Sequence, residues 1–107
     1  MKLILDNREY RVWWHHHERK GPMGGIQPVT DCFIIDGPVG MTQDEWQAYS
    51  DQTPTSMASV ALNLHDPPNR NKARKFALAK MLRHLFPCHP KTRAHFWDAY
   101  RTQLGHW

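Results

Sequence analysis

The 107-residue chain predicts an α+β domain: a small antiparallel sheet of about four strands, two C-terminal helices packed on one face, and one short inserted helix. Three observations carry that expectation. Short segments of alternating apolar and polar residues, separated by turn residues, fill the first part of the chain. Apolar residues at helical spacing fill the last part. Strands come first and helices last rather than alternating, an order that segregates helices to one side of an antiparallel sheet. The length suffices for a single core, so residues 1–107 read as one domain.

The opening KLILDNREYRVWWHHHER reads as two strands with Asp6-Asn7 at the turn, a hairpin signal related to Asn-Gly. Alternation places Tyr10, Val12, Trp14 and His16 on one face of the second strand. Arg11, Trp13, His15 and His17 fall on the other. GPMGGIQP, residues 21–28, carries too much glycine and proline for a regular element and is expected as a mobile loop. DCFIIDG, residues 31–37, is the next strand. In MTQDEWQAYS, Thr42 and Glu45 have capping-box spacing, which opens a short helix near residues 43–50 with Trp46 and Tyr49 on one face. DQTPT is a linker.

In SMASVALNL, residues 56–64, the alanines suit a helix, while Val60 and the alternation suit a strand. Pro54 before it and Asp66-Pro67-Pro68 after it decide for the strand. A helix then covers NRNKARKFALAKMLRHLF, capped by Asp66 or Asn69 and ended by Pro87. A second helix, KTRAHFWDAYRTQL, follows Pro90 and runs to Gly105. Its Phe96, Trp97, Tyr100 and Leu104 recur at helical spacing and belong to the core, and Gly105-His106-Trp107 reads as a frayed tail.

Forty per cent hydrophobic residues and five tryptophans exclude the disordered class. No apolar run approaches the roughly 18 residues of a membrane span, and no charged-then-apolar signal segment opens the chain, so no membrane partner is expected. Cys32 and Cys88, without an export signal, are expected as reduced thiols. The net charge of +4, with eight histidines that add to it in acid, favours anionic partners: nucleic acid, a nucleoprotein complex or an acidic protein face.

The first C-terminal helix gathers Ala77, Leu78, Met81, Leu82 and Leu85 on one side. Lys72, Lys75, Lys80 and Arg83 lie opposite with Phe76 among them, and Arg70 and Arg74 lie nearer the apolar side at its start. No acidic residue lies between Asn69 and Phe86, so nothing within the helix offsets this charge. Such a face is either a solvated surface or a docking site for phosphates and other anions.

RVWWHHHERK raises the question of a metal site. Consecutive strand residues alternate faces, so His15 and His17 can share a metal while His16 cannot. A third ligand from Cys88 or His89 matches no finger or knuckle spacing, and no metal or other cofactor is expected. Cys32 lies in the apolar run CFII, where a buried inert thiol is the default. The acids are scattered rather than paired, and GPMGG lacks the Lys-Ser continuation of a phosphate loop, so no catalytic residue is assigned. The strand side carrying Arg11, Trp13, His15 and His17 either has the helices burying Trp13 and its histidines in solvent, or is a contact surface, one aromatic anchor ringed by donors that suits a protein hot spot or stacking against a nucleic acid.

The C-terminal half carries Asp66, Asn69-Arg70, Arg74-Lys75, Ala77-Leu78, Leu82, Arg93, Trp97, Ala99 and Tyr100, preceded by Asp31-Cys32-Phe33. In these features it resembles a loose family of short proteins from phages, prophages and other bacterial mobile elements. Ala73 stands where glycine is common in that family, and MTQDEWQAYS reads as an insertion. The resemblance implies a mobile-element origin, a compact α+β fold and a place in the cytoplasm of a bacterial host. It transfers no catalytic residue.

The expected function is therefore non-enzymatic: binding and inhibition of a host nucleic-acid-handling complex, in the manner of anti-CRISPR inhibitors. The contact residues expected are Lys72, Lys75, Lys80, Arg83, Arg70, Arg74, Trp13, His15 and His17. The alternatives, in order, are direct DNA or RNA binding and a zinc- or thiol-dependent enzyme.

Overall fold

The computed structural model describes residues 1–22, 24–61 and 69–104. Their order is β1 (Lys2–Leu5), β2 (Arg8–Lys20), β3 (Ile26–Pro38), α1 (Gln43–Gln52), β4 (Ser56–Ala61), α2 (Arg70–Leu85) and α3 (Pro90–Leu104). The strands form one antiparallel sheet in the order β1-β2-β3-β4. The expected α+β class and its element order are thus what the chain adopts. Residues 62–64 of the anticipated fourth strand, Asp66 as a cap, the stop at Pro67-Pro68 and the tail 105–107 lie outside the described residues. Among the described residues, no helix is long and apolar enough to cross a membrane.

Asp6 and Asn7 make the first hairpin by both taking left-handed backbone angles, φ 51° and 63°, between the paired Leu5 and Arg8. Two such residues in a two-residue turn match the twist of the strands they join, and short polar side chains tolerate the conformation. The second hairpin is longer: β2 and β3 pair from Arg8 opposite Pro38 to Lys20 opposite Ile26. Its turn closes with the Gly21 N–H donating to Gly25 O at 2.6 Å, while Gly24 sits at φ 85°, where a side chain would be strained.

The loop expected over GPMGGIQP is shorter than its composition implies, since Ile26, Gln27 and Pro28 belong to β3. The backbone pattern explains why proline is tolerated there. Val12 exchanges two 2.8 Å bonds with Met1, so Val12, Trp14, His16, Glu18 and Lys20 direct their N–H and C=O groups away from β3. Pro28 lies opposite Glu18, in a non-hydrogen-bonded pair, and its nitrogen points toward the β4 side. Among the described residues, pairing with β4 starts at Val29, so the missing N–H costs no ladder bond there.

Alternation along β2 sorts the layers as the sequence implies. Val12, with Cys32, Ile34 and Ala58 from β3 and β4, packs against Ala77, Leu78, Met81 and Leu82 of α2 and Phe96 and Tyr100 of α3. Edge-on ring contacts, Tyr10 to Phe96 at 5.2 Å and Trp14 to Tyr100 at 5.9 Å, tie α3 to β2. The Trp14 indole N–H donates to Arg74 O at 3.2 Å. Asn69 caps α2 by accepting from the Lys72 N–H, and Arg93 closes its far end by donating to Phe86 O and Pro87 O. Gln103 of α3 holds the Lys2 backbone through both of its amide groups.

The inserted helix covers the other face. The Glu45 N–H donates to Thr42 Oγ1 at 3.2 Å, as capping-box spacing requires. Trp46, 2% exposed, lies under Arg11, whose guanidinium is 4.2 Å from the ring centroid and bonds Glu9 at 2.9 Å. Gly37 makes this docking possible, because a Cβ there would stand 2.9 Å from Tyr49 and 3.1 Å from Trp46.

Gly37→Ala is therefore expected to destabilise the domain by about 1–3 kcal/mol through overpacking. Thermal melts should show a lower midpoint, and the fluorescence change of Trp46 should precede loss of helical ellipticity. An unchanged midpoint would show that α1 does not rest on Gly37.

Candidate partner-binding surfaces

α2 turns its leucine side to the sheet and its cationic side outward. Lys72, Lys80 and Arg83 are exposed, and Phe76, 48% exposed, stands among them with the Lys72 ammonium 5.6 Å from its ring centroid. The ion pairs among the described residues are Arg8–Asp36, Arg11–Glu9, His17–Asp31 and Arg101–Asp98. None of them neutralises Lys72, Lys80 or Arg83. Lys75 is half-buried on the same helix. Lys80 also donates to Ser59 O at 2.8 Å, on the outer edge of β4. It thereby shields an edge carbonyl, a structural role beside its charge. Between α2 and α3 a cavity of about 700 Å³ is lined by Phe76 and Arg83 from one helix and Arg93 and Trp97 from the other.

Arg70 and Arg74 stand apart from this outward row, at the start of α2. The Arg74 guanidinium donates to Asn71 Oδ1 at 3.2 Å. Arg70 lines a cavity of about 350 Å³ with His16, Glu18, Thr30 and Asn69. There His16 Nδ1 lies 2.8 Å from Thr30 Oγ1, while its Nε2 is buried without a partner. Burial, followed by the charges of Arg74, Arg70 and His15, holds the His16 imidazole below its ordinary value of 6.5. The pocket thus keeps a neutral ring beside two guanidinium groups.

Trp13, His15 and His17 lie on the opposite side of the sheet. Trp13, 41% exposed, stacks on Phe33 at 5.4 Å, and Met57, 57% exposed, adjoins them as the β4 partner of Phe33. His15 and His17 stack on each other at 5.5 Å. His17 Nε2 lies 2.9 Å from Asp31 Oδ2, and Ser59 Oγ donates to Asp31 Oδ1 at 2.5 Å.

These three residue types invite comparison with a nucleophilic triad, but the order is wrong for one. The carboxylate stands between serine and histidine, so among the described residues no imidazole is placed to take the Ser59 proton. Asp31 instead ties β2 to β4 across β3. No group of three histidine, cysteine or acidic side chains suited to a metal occurs among the described residues. Cys88 and His89, in the turn between α2 and α3, lie with the helix layer rather than on the His15–His17 side.

The residues expected at a contact surface therefore divide into two sets on opposite faces: the α2 cations, and Trp13 with His15 and His17. A flat partner touches one set; touching both requires wrapping the sheet edge. Phe33, Met57 and Asp31 were not among the residues expected from the sequence, although they complete the Trp13 side. Their signal was the β2–β3 register, which places Trp13 opposite Phe33 and His15 opposite Asp31. No family model, curated protein or solved structure matches the chain.

Burial pushes the Cys32 thiol up to about 12, whereas Cys88 is exposed, and both are free thiols. At neutral pH the folded protein should react with a disulfide probe such as dithiobis-nitrobenzoate at Cys88 alone, with Cys32 following only in denaturant. Cys88→Ser should abolish labelling of the native protein. Rapid native labelling of that variant would contradict the burial of Cys32.

Proposed function

We propose that the chain is a non-enzymatic accessory protein of a phage or other mobile element. In this reading it docks on a nucleic-acid-handling complex of its bacterial host and inhibits it, as anti-CRISPR proteins do. The observation that carries the reading is the outward face of α2, where Lys72 and Arg83 stand exposed with no carboxylate paired to them among the described residues. At a rise of about 1.5 Å per residue the two lie some 16 Å apart along the helix, a reach that suits a phosphate-lined channel or an acidic groove. Their contacts are a hydrogen bond from Arg83 Nε to Ala79 O and the approach of Lys72 to the Phe76 ring, neither of which neutralises the charge an anion would meet.

The apolar groups favour a complex that contains protein over bare nucleic acid. Phe76 stands among the α2 cations, and Trp13, Phe33 and Met57 form an aromatic-rich cluster on the far face. Phosphate backbones gain nothing from such groups, and only unpaired bases would stack on them, whereas protein interfaces concentrate their binding energy on buried aromatic anchors ringed by polar residues. Trp13, His15 and His17 supply the second contact.

The test compares the wild-type chain with Lys72→Glu/Arg83→Glu as bait in nuclease-treated and untreated lysate of a bacterial host. A protein complex retained after nuclease treatment and lost at least about tenfold by the double reversal is expected. Binding to naked DNA or RNA that falls by about 0.9 log units per phosphate contact per tenfold salt would install direct nucleic-acid binding instead. Retention unchanged by the reversal sinks both readings. Circular dichroism should show the variant folded, since both residues are solvent-facing.

A further inference from the structure

β2 is longer than the strand beside it. β1 covers it only from Arg8 to Arg11, and Met1 takes both backbone groups of Val12. Beyond that point Trp14, His16, Glu18 and Lys20 direct their N–H and C=O groups to an edge that no strand among the described residues occupies. The free edge is bounded by Met1 at one end and by the turn at Gly21 at the other. Open strand edges are templates for another strand. β4, the opposite edge of the sheet, is shielded at Ser59 by Lys80. Among the described residues, nothing comparable bonds to the open edge of β2.

We infer that this edge pairs antiparallel with the same edge of a second copy of the chain. The full seven-residue overlap puts Trp14 opposite the partner's Lys20 and His16 opposite the partner's Glu18, with His17 at the two-fold axis. Backbone parity permits this register, because the residues brought into opposition at Trp14, His16, Glu18 and Lys20 are the ones whose polar groups point outward on both chains. Each such pair exchanges two bonds, for about eight across the interface. A shift by one residue would set outward groups against inward ones and lose the ladder.

The side chains match in the same register. Directly opposed residues share a face, so the partner's Glu18 comes to the helix side, next to His16, at the cavity where Arg70 and Arg74 hold positive charge. Lys20 comes to the indole of the partner's Trp14. Lysine and arginine at the end of β2 deter pairing with an arbitrary strand, whereas alternation of Glu18 with His16 makes the edge complementary to itself. Both helix layers then lie on one side of a continuous sheet, which sets two α2 cationic faces side by side. The pairing shares His17 with the second docking contact but uses none of the outward α2 residues, so the α2 charge reversal and the Glu18 variants test the two separately.

The test is sedimentation equilibrium of the full chain over about 1 to 500 µM, since association depends on protomer concentration. A dimer is expected for the wild type. Glu18→Pro removes an N–H that points away from β3, so the internal hairpin keeps its ladder while the intermolecular one loses bonds at two symmetric places. Its dimer dissociation constant should rise at least about tenfold, with an unchanged far-ultraviolet spectrum. Glu18→Lys keeps the backbone and places a cation against the partner's His16 and Arg70. It should weaken the dimer similarly, which leaves the inference testable even where the proline variant misfolds. A wild type that stays monomeric throughout, or a dimer indifferent to Glu18→Lys, overturns the proposal.

Discussion

The thirteen-residue pairing of β2 with β3 is the constraint from which the rest of the structure follows. One register settles three things together. It chooses which side chains face α2 and α3, which backbone groups face outward along β2, and which residues meet across the open face. Slipping it by one position would set Val12 and Trp14 on the opposite face from Cys32 and Ile34, so that one strand's apolar side chains would leave the core for solvent. The glycine turn at one end and the Asp6-Asn7 turn at the other bracket β2, and α3 grips β1 through Gln103.

The two faces of this sheet are finished differently. The helix side is a continuous packed core in which even the polar edge of Trp14 is satisfied, by the Arg74 carbonyl. The other side is only partly roofed. α1 seals the end near Gly37 with Trp46, Tyr49 and the Arg11–Glu9 pair, and leaves Trp13 and Met57 exposed beside a half-buried Phe33. An aromatic cluster half covered by a helix and half exposed is expensive to leave in water. The outward α2 row differs in kind: its cations are solvated and inexpensive to display, and their value lies in long-range attraction rather than burial.

Asp31 shows how a polar group can be mistaken for chemistry. Its carboxylate bonds His17 on one side and Ser59 on the other, and so crosses the sheet from β2 to β4. In a catalytic arrangement the imidazole would stand in the middle and the carboxylate behind it. Here the sequence of contacts reverses that order, and the three side chains act as a brace within the sheet. His16, one residue from this group in sequence, belongs to the opposite face and to a different environment, between Thr30 and the two arginines that open α2.

Much of this was legible in the residues alone. The periods of two and of about 3.6 are local properties, as are the turn at Asp6-Asn7, the capping spacing of Thr42 and Glu45, the cap at Asn69, and the division of α2 into a leucine side and a cationic side. The opposed directions of Trp13 and Trp14 followed from alternation. Tertiary structure alone decided matters that depend on partners distant in the chain. These are the extension of β3 through Pro28, the approach of Trp46 to Gly37, the placing of Arg70 and Arg74 beside His16, and the length of β2 left uncovered by β1. Each is set by register and by where a neighbouring strand stops, and neither quantity has a signature within a single local window.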